Sequence, residues 1–286
     1  MININQTKIM RRKLLFFLIT IFAFSCTKVD DAPGEPKPSK LGTIELKYPS
    51  AFNSYYKTIN GIDSRDLKAE LHDLIDGNKV LPYTSSGFDV WDALDKTDED
   101  PKNPNNVILI YTGRSQSKSE KNHGSMAPDS WEREHVWAKS RGFGGYPDTS
   151  KPASTDIHHI RPVDRTVNSD RLTKYFDNGG TIHSEATGCK YTSKTWEPRD
   201  AVKGDIARMM FYMAVRYEGE NGNPDLELND NVSSSGPYIG KLSTLIEWNK
   251  QDPVDDFEKK RNQTIFEIQG NRNPFIDHPE FVDYIW

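Results

Sequence analysis

The 286-residue chain has few cysteines and no long apolar run. Its two cysteines, Cys26 and Cys189, are too few for a disulfide framework or for a zinc site built from cysteines. The longest apolar stretch, Leu14–Phe24, has eleven residues and is too short to span a bilayer. The sequence also lacks internal repeats and the motifs HExxH and GxSxG, which argues against solenoids, common zinc peptidases and serine hydrolases.

The chain also has a small net charge. The chain has 37 Lys and Arg against 42 Asp and Glu, which gives a formal net charge of −5. An acidic total argues against a protein coated with nucleic acid, because such proteins usually show a basic footprint. Aromatic residues at 11% and hydrophobic residues at 35% are too many for a disordered chain. The length fits one large domain or two small ones.

The first 25 residues are typical of an export signal. A positive region comes before the apolar run and is formed by Lys8, Arg11, Arg12 and Lys13. The run ends in Ala-Phe-Ser-Cys, which resembles a bacterial lipoprotein cleavage box, so Cys26 is the expected lipidation site. An ordinary secretory signal cut nearby is the alternative. Removing residues 1–25 removes four positive and no negative charges, so the net charge changes from −5 to −9.

Residues 26–43 predict a flexible tether, and residues 44–286 predict a single domain. The tether is rich in Pro, Gly and charged residues without periodicity. We therefore expect an exported monomer, either anchored to the outer membrane and facing the periplasm or the cell surface, or secreted. The lipid anchor is the only expected membrane contact. Cys189 has no remaining partner once Cys26 is lipidated, and we expect a buried free thiol.

Apolar periodicity predicts several helices. Helical spacing covers residues 67–75, 204–217, 242–248 and 255–269, and the methionine-rich segment 204–217 is the predicted central core helix. The run from Val107 to Tyr111 predicts a buried strand closed by Gly113. The segment from Asp95 to Asn106 predicts a solvated acidic loop. These elements indicate one α+β domain that is mostly helical.

Chemistry-bearing residues concentrate in the middle third of the chain. Four of the seven histidines lie between His123 and His159, close to glutamates, an asparagine and several arginines. Histidine suits general acid–base catalysis at neutral pH, and glutamate and asparagine offer oxygen ligands to a hard cation. Arginine can hold a phosphate through two hydrogen bonds. The combination is typical of metal-assisted phosphodiester hydrolysis.

Three motifs in this region, REHVW at 133–137, DIHHIRPVD at 156–164 and VNSDR at 167–171, resemble the bacterial endonuclease I family. Further similar segments lie at 111–113, 204–208, 211–213 and 269–275, so the resemblance covers about residues 44–286. The resemblance implies a secreted or periplasmic nuclease with a ββα-metal, or His-Me finger, active site. It also implies one Mg²⁺ ion as cofactor, with other divalent ions as alternatives.

The resemblance also implies residue roles. His135 would be the general base that deprotonates the attacking water, and a backbone carbonyl near Ser154 would orient its other ring nitrogen. Glu134 and Asn168 would be the metal ligands, and the products would carry a 5′-phosphate. Arg161 is the candidate phosphate-binding cation, with a structural ion pair to Asp164 as the equal alternative.

Two constraints follow from strand geometry. Adjacent strand residues point to opposite faces, so Glu134 and His135 share a site only if the strand ends, bends or bulges near His135. For the same reason only one of His158 and His159 faces the site, and a structural role is favoured for His158.

The segment from Trp131 to Tyr175 has eight Lys and Arg and six Asp and Glu, so a local charge of +2 lies within an acidic protein. Together with the resemblance, this predicts a non-specific, Mg²⁺-dependent endonuclease with DNA as the likeliest substrate and RNA as the alternative. A non-catalytic surface lipoprotein that binds nucleic acid or glycan is the alternative.

Overall fold

The computed structural model describes residues 37–46, 54–124, 127, 129–143, 151–231 and 236–286. The predicted export signal, Cys26 and most of the predicted tether lie outside these ranges. The described end of the tether contacts the domain: the Lys40 amide donates to the Asp283 carbonyl at 2.9 Å, and the Ser64 amide donates to the Gly42 carbonyl at 2.8 Å. The predicted boundary at residue 44 therefore falls within a segment that already contacts the domain.

The predicted helices are confirmed. Among the described residues, the helices are α1 (Leu67–Ile75), α2 (Val90–Thr97), α3 (Arg165–Arg171), α4 (Lys203–Arg216), α5 (Leu242–Gln251), α6 (Asp256–Gln269), α7 (Pro274–Asp277) and α8 (Val282–Ile285). Helix α6 is followed directly by Gly270, which has a positive φ of 91° that glycine adopts readily. Within the described ranges, no helix is long and apolar enough to span a membrane.

The strands form three small sheets. Their bounds are β1 (Glu99–Asp100), β2 (Asn103–Ile108), β3 (Ser115–Ser117), β4 (Trp131–His135), β5 (Ile160–Asp164), β6 (Tyr175–Phe176), β7 (Thr181–Ile182), β8 (Lys190–Tyr191) and β9 (Thr195–Glu197). The sheets have the orders β1-β2-β3, β4-β5 and β6-β9-β8-β7. The chain has an α+β fold in which helical residues outnumber strand residues, as predicted.

Helix α4 lies at the centre of the core. All of its residues are buried, including the methionine stripe that indicated a core helix. Asp205 lies in its first turn, where a negative charge complements the helix dipole. Gly204 allows close packing there, because an added Cβ would lie 2.0 Å from the carbonyl oxygen of Asp252, just after α5. Burial on all sides explains why this segment is apolar beyond a single stripe.

The prediction of a solvated acidic loop at residues 95–106 is wrong. Asp95 lies in α2, and the segment continues into β1 and β2. Asp98 is fully buried and pairs with the guanidinium groups of Arg161 and Arg261. A buried carboxylate needs such partners, since desolvation penalises an isolated charge. The predicted strand at 107–111 is shifted, because β2 begins at Asn103 and ends at Ile108.

Cys189 is buried and free of disulfide bonding, as expected. Its thiol donates to the carbonyl oxygen of Tyr111 at 3.4 Å. Burial raises the pKa of Cys189 to about 11. The thiol is therefore part of the hydrophobic core and is protonated at neutral pH.

Candidate active site

Strands β4 and β5 and helix α3 follow one another around the candidate site. The strands pair antiparallel, with Glu134 opposite Arg161 and His135 opposite Ile160. Helix α3 begins directly after β5. Strand β4 ends at His135, so the predicted strand break is confirmed. This end of the strand allows two sequential side chains to serve one site.

A cavity of about 510 Å³ lies at this strand end. His135, Glu134 and Asn168 all line it, so the structure brings the three residues together. The walls also include Glu132, Arg133 and Lys139. The cavity therefore combines a histidine, oxygen donors and positive charge within reach of a single bound group.

One ring nitrogen of His135 is held by the backbone. Nε2 lies 2.9 Å from the carbonyl oxygen of Ser154, at the end of a 3-10 turn formed by Pro152–Ser154. The sequence expectation of an orienting carbonyl near Ser154 is thus confirmed. Because a carbonyl only accepts, Nε2 carries the proton and the lone pair of the neutral ring is on Nδ1. Burial, with His159 and Lys139 nearby, lowers the pKa of His135 well below its usual value.

Glu134 is buried and only partly satisfied. The Tyr111 hydroxyl donates to its Oε1 at 2.7 Å, and Nη1 of Arg171 lies 3.3 Å from the same oxygen. Burial raises the pKa of Glu134, against the opposing effect of Arg171. Among the described residues, no hydrogen bond to Oε2 is present, so this oxygen is available to a further partner.

Arg171, the last residue of α3, connects the helix to the end of β4. Its guanidinium group is buried and donates to the carbonyl oxygens of His135 at 3.3 Å and Val136 at 2.6 Å. It also donates to the carbonyl oxygen of Leu172 at 3.1 Å, where the chain leaves the helix with a φ of 49°. One side chain thus supports both the strand end and Glu134.

Asn168 is oriented by Glu132, a residue that the sequence reasoning missed. Nδ2 of Asn168 donates to Oε1 of Glu132 at 2.6 Å, and Nδ2 of Asn122 donates to Oε2 at 3.1 Å. The Asn168 amide nitrogen is therefore engaged, and its Oδ1 accepts no side-chain or backbone hydrogen bond from the residues that the structure describes. Alternation along the strand was the available signal, because Glu132 and Glu134 are two residues apart and share a face.

The residues present fit a hard divalent cation. The available atoms are Oε2 of Glu134 and Oδ1 of Asn168, and oxygen is the ligand type that Mg²⁺ prefers. In the part of the chain that the structure describes, no group of three or more His, Cys, Asp and Glu side chains could hold a metal. Two protein ligands suit Mg²⁺, which usually keeps several waters, and do not suit a structural zinc site.

Arg161 requires a correction, because the structure does not bring it to the cavity. It is 1% exposed, pairs with Asp98 and lies 3.2 Å from Asp205. Its positive charge is thus already neutralised inside the fold, and it is inaccessible to a substrate phosphate. The alternative pairing with Asp164 is also wrong, since Asp164 binds Arg114 and the Thr112 hydroxyl instead.

His158 and His159 are both buried outside the cavity lining. Nε2 of His158 lies 3.2 Å from the carbonyl oxygen of Asn271, and Nε2 of His159 lies 2.8 Å from that of Ala153. Burial lowers the pKa of each ring to about 4. The structural role favoured for His158 is confirmed, and His159 approaches the site only through its ring, 5.6 Å from that of His135.

Two relatives resemble the chain over most of its length. An extracellular ribonuclease of Bacillus subtilis is 55% identical over 256 residues, which cover 87% of this chain and 85% of the relative. An extracellular ribonuclease of Bacillus amyloliquefaciens is 57% identical over 235 residues, with coverages of 82% and 78%. An extracellular deoxyribonuclease of Aeromonas hydrophila is 30% identical over 141 residues, 46% of this chain and 54% of that protein.

The sequence model of the family described as endonuclease I matches residues 63–280. The matched range contains β4, β5 and α3, together with every residue of the cavity described above. Such a match over most of the chain establishes both the family and the reaction class. The chain belongs to the endonuclease I family and is a hydrolase of phosphodiester bonds.

Proposed function

We propose that this protein is an exported, divalent-cation-dependent endonuclease that cleaves RNA and DNA without sequence preference and leaves 5′-phosphates. The observation that carries the proposal is the His135 ring, whose Nε2 is held by a carbonyl while Nδ1 remains a base in a cavity with oxygen donors. The strand–strand–helix order around it is compatible with a ββα-metal motif.

In this proposal, His135 removes a proton from the attacking water. Its lowered pKa keeps the ring neutral at physiological pH, so that Nδ1 can accept the proton. The hydrogen bond from Nε2 to Ser154 fixes the tautomer and the ring orientation during that transfer. The carbonyl also stabilises the protonated ring that results.

Glu134 and Asn168 are the proposed ligands of the cation, through Oε2 and Oδ1. Tyr111 and Arg171 hold Glu134, and Glu132 holds Asn168, so both donors are positioned before a ligand binds. When bound there, a divalent cation supplies electrostatic stabilisation to the charge that develops on the scissile phosphate. Arg133 and Lys139 replace Arg161 as the proposed cations that contact the substrate backbone.

The proposed substrates include RNA as well as DNA. The relatives at 55% and 57% identity are named ribonucleases, while the relative at 30% is named a deoxyribonuclease. The original expectation of DNA as the main substrate therefore stays a prediction. Export is supported by the same names, and lipidation of Cys26 remains part of the proposal, since that residue lies outside the described ranges.

The test is digestion of a plasmid and of a structured RNA by the purified protein with Mg²⁺, with EDTA, and after His135→Ala. We expect EDTA to abolish cleavage and His135→Ala to slow it by about 10²–10⁴-fold, the usual loss for a general base. His72→Ala is the matched control, because His72 bonds to Val215 outside the cavity. Equal cleavage by wild type and His135→Ala would refute the mechanism.

A further inference from the structure

A second cavity of about 620 Å³ lies beside the active-site cavity. Trp91 lines both, so the two cavities share a wall residue. The loop before α2 contributes Ser85 and Phe88 to the second cavity, and the segment before β4 contributes Lys121 and His123. The second cavity contains none of the proposed catalytic residues.

A row of neighbouring side chains runs between the two cavities. The Arg133 guanidinium carbon lies 3.4 Å from the centre of the Tyr83 ring and 4.2 Å from that of Trp91. On the side of the second cavity, the His123 ring lies 5.0 Å from the Trp91 ring. Tyr83, Arg133, Trp91 and His123 thus form a row of flat groups in contact, from the active-site cavity to the second cavity.

The chemistry of the second cavity suits a base better than a phosphate. Asp89 and Asp92 line it. The Asp89 carboxylate accepts from the Trp91 amide at 2.7 Å, and the Asp92 carboxylate accepts from the Asp89 amide at 3.0 Å. The amine of Lys121 is held by Asp95. The negative charge therefore repels a phosphate, whereas it does not repel a neutral base.

Phe88 supplies a partly exposed aromatic face at this position. It is 43% exposed, although it lies directly before the buried N-terminus of α2. Aromatic side chains that track a single strand bind successive bases by stacking, and this contact tolerates every base. A partly exposed phenyl ring and the His123 ring in the lining of one cavity of this size are compatible with one bound base.

We propose that the second cavity binds one nucleobase of the substrate, close to the nucleotide at the scissile phosphate, through stacking on Phe88 and His123. The proposal rests on the nuclease function proposed above and adds a subsite to it. It predicts that oligonucleotides are better substrates than phosphodiesters that lack a base at this position.

The test compares wild type and Phe88→Ala on a single-stranded oligonucleotide and on bis(p-nitrophenyl) phosphate, which has no base. We expect Phe88→Ala to lower kcat/KM on the oligonucleotide by about 5-fold or more, through KM, since stacking contacts have effects of this size. Activity on the small diester is expected to stay unchanged, and Phe88→Trp should restore the oligonucleotide activity. Val80→Ala, at a side chain 44% exposed outside both cavities, is the control.

A binding measurement separates this subsite from catalysis. In the His135→Ala protein, 2-aminopurine placed at successive positions of an oligonucleotide should be quenched at one position, and Phe88→Ala should remove that quenching. Unchanged kinetics and quenching in Phe88→Ala, or an equal loss on both substrates, would overturn the subsite. Failure of the wild type to cleave any nucleic acid would instead refute the proposed function.

Discussion

At the residue scale, the two glutamates of the cavity differ in how many of their carboxylate oxygens already have partners. Glu134 uses Oε1 for Tyr111 and Arg171, whereas Glu132 uses both carboxylate oxygens for the amides of Asn168 and Asn122. Glu132 is therefore a positioning residue and not a ligand in this arrangement. Outer partners of this kind determine how well the inner donors bind a cation.

We predict that Glu132→Ala lowers the apparent affinity of the protein for Mg²⁺. Without its acceptor, the Asn168 amide can rotate and its Oδ1 loses a fixed direction. The Mg²⁺ concentration for half-maximal cleavage should rise by about 10- to 100-fold, measured by titrating Mg²⁺ at constant substrate. Glu267→Ala, at an exposed position on α6, is the control. An unchanged Mg²⁺ requirement would show that Asn168 is held without Glu132.

At the element scale, the close contact of α4 with the end of α5 depends on Gly204. The Cβ of any other residue would lie 2.0 Å from a backbone oxygen of Asp252. A backbone atom cannot rotate away as a side chain can, so the helices would have to separate. Nearby, the buried Arg208 side chain donates to the Asp252 carbonyl oxygen at 2.9 Å, and it also pairs with Glu258.

We predict that Gly204→Ala lowers the free energy of unfolding by about 2 kcal/mol or more, measured by urea denaturation. The sign of this change in the free energy of unfolding is informative, because in an uncrowded helix alanine is more favourable than glycine by about 1 kcal/mol. Gly87→Ala is the matched control, since its added Cβ would meet its nearest neighbour at an ordinary 3.9 Å. Greater stability in Gly204→Ala would contradict the packing described here.

The sequence predicted the helices well where apolar residues recur at helical spacing, because that spacing marks the buried face of a helix. Helices α1, α4, α5 and α6 each place apolar residues at helical spacing, so their positions could be read from the sequence alone. The acidic segment after α2 was misread, because Asp98 is neutralised by Arg161 and Arg261, which lie far away in the sequence. Ion pairs between distant segments leave no local pattern.

The same distinction applies to the site. His135, Glu134 and Asn168 were found through motifs and lie together in the structure. The supporting residue Glu132 was missed, and Arg161 was assigned the wrong surroundings. Both depend on side-chain partners across the fold, and a motif does not specify those partners.

At the scale of the whole molecule, the described part of the fold is stabilised without a disulfide bond. Within the described ranges the single cysteine is buried and free, and several ion pairs are buried as well. A protein that works outside the cell often relies on disulfides, but a core of this size can be stable without them. Stability should therefore be independent of the redox conditions.

We predict that reducing agent leaves the Tm of the Cys26→Ser protein unchanged and that Cys189 resists thiol reagents. Its thiol is fully buried, and with a pKa of about 11 it is protonated at pH 8. Ellman's reagent should detect no thiol in the native protein and one thiol in denaturant. Rapid reaction of the native protein would show that the core around Cys189 opens.

Arg171 has a consequence for how this enzyme can change through mutation. Its guanidinium group contacts Glu134 and the carbonyl oxygens of His135 and Val136, so one residue supports both the proposed ligand and the proposed base. A substitution there would alter both groups together, and compensation at one of them would not restore the other. Mutation of Arg171 would therefore change the proposed cation binding and the proposed proton transfer at the same time. Substitutions at Glu132, which holds Asn168, or in the turn at Pro152–Ser154, which holds His135, should change only one of the two.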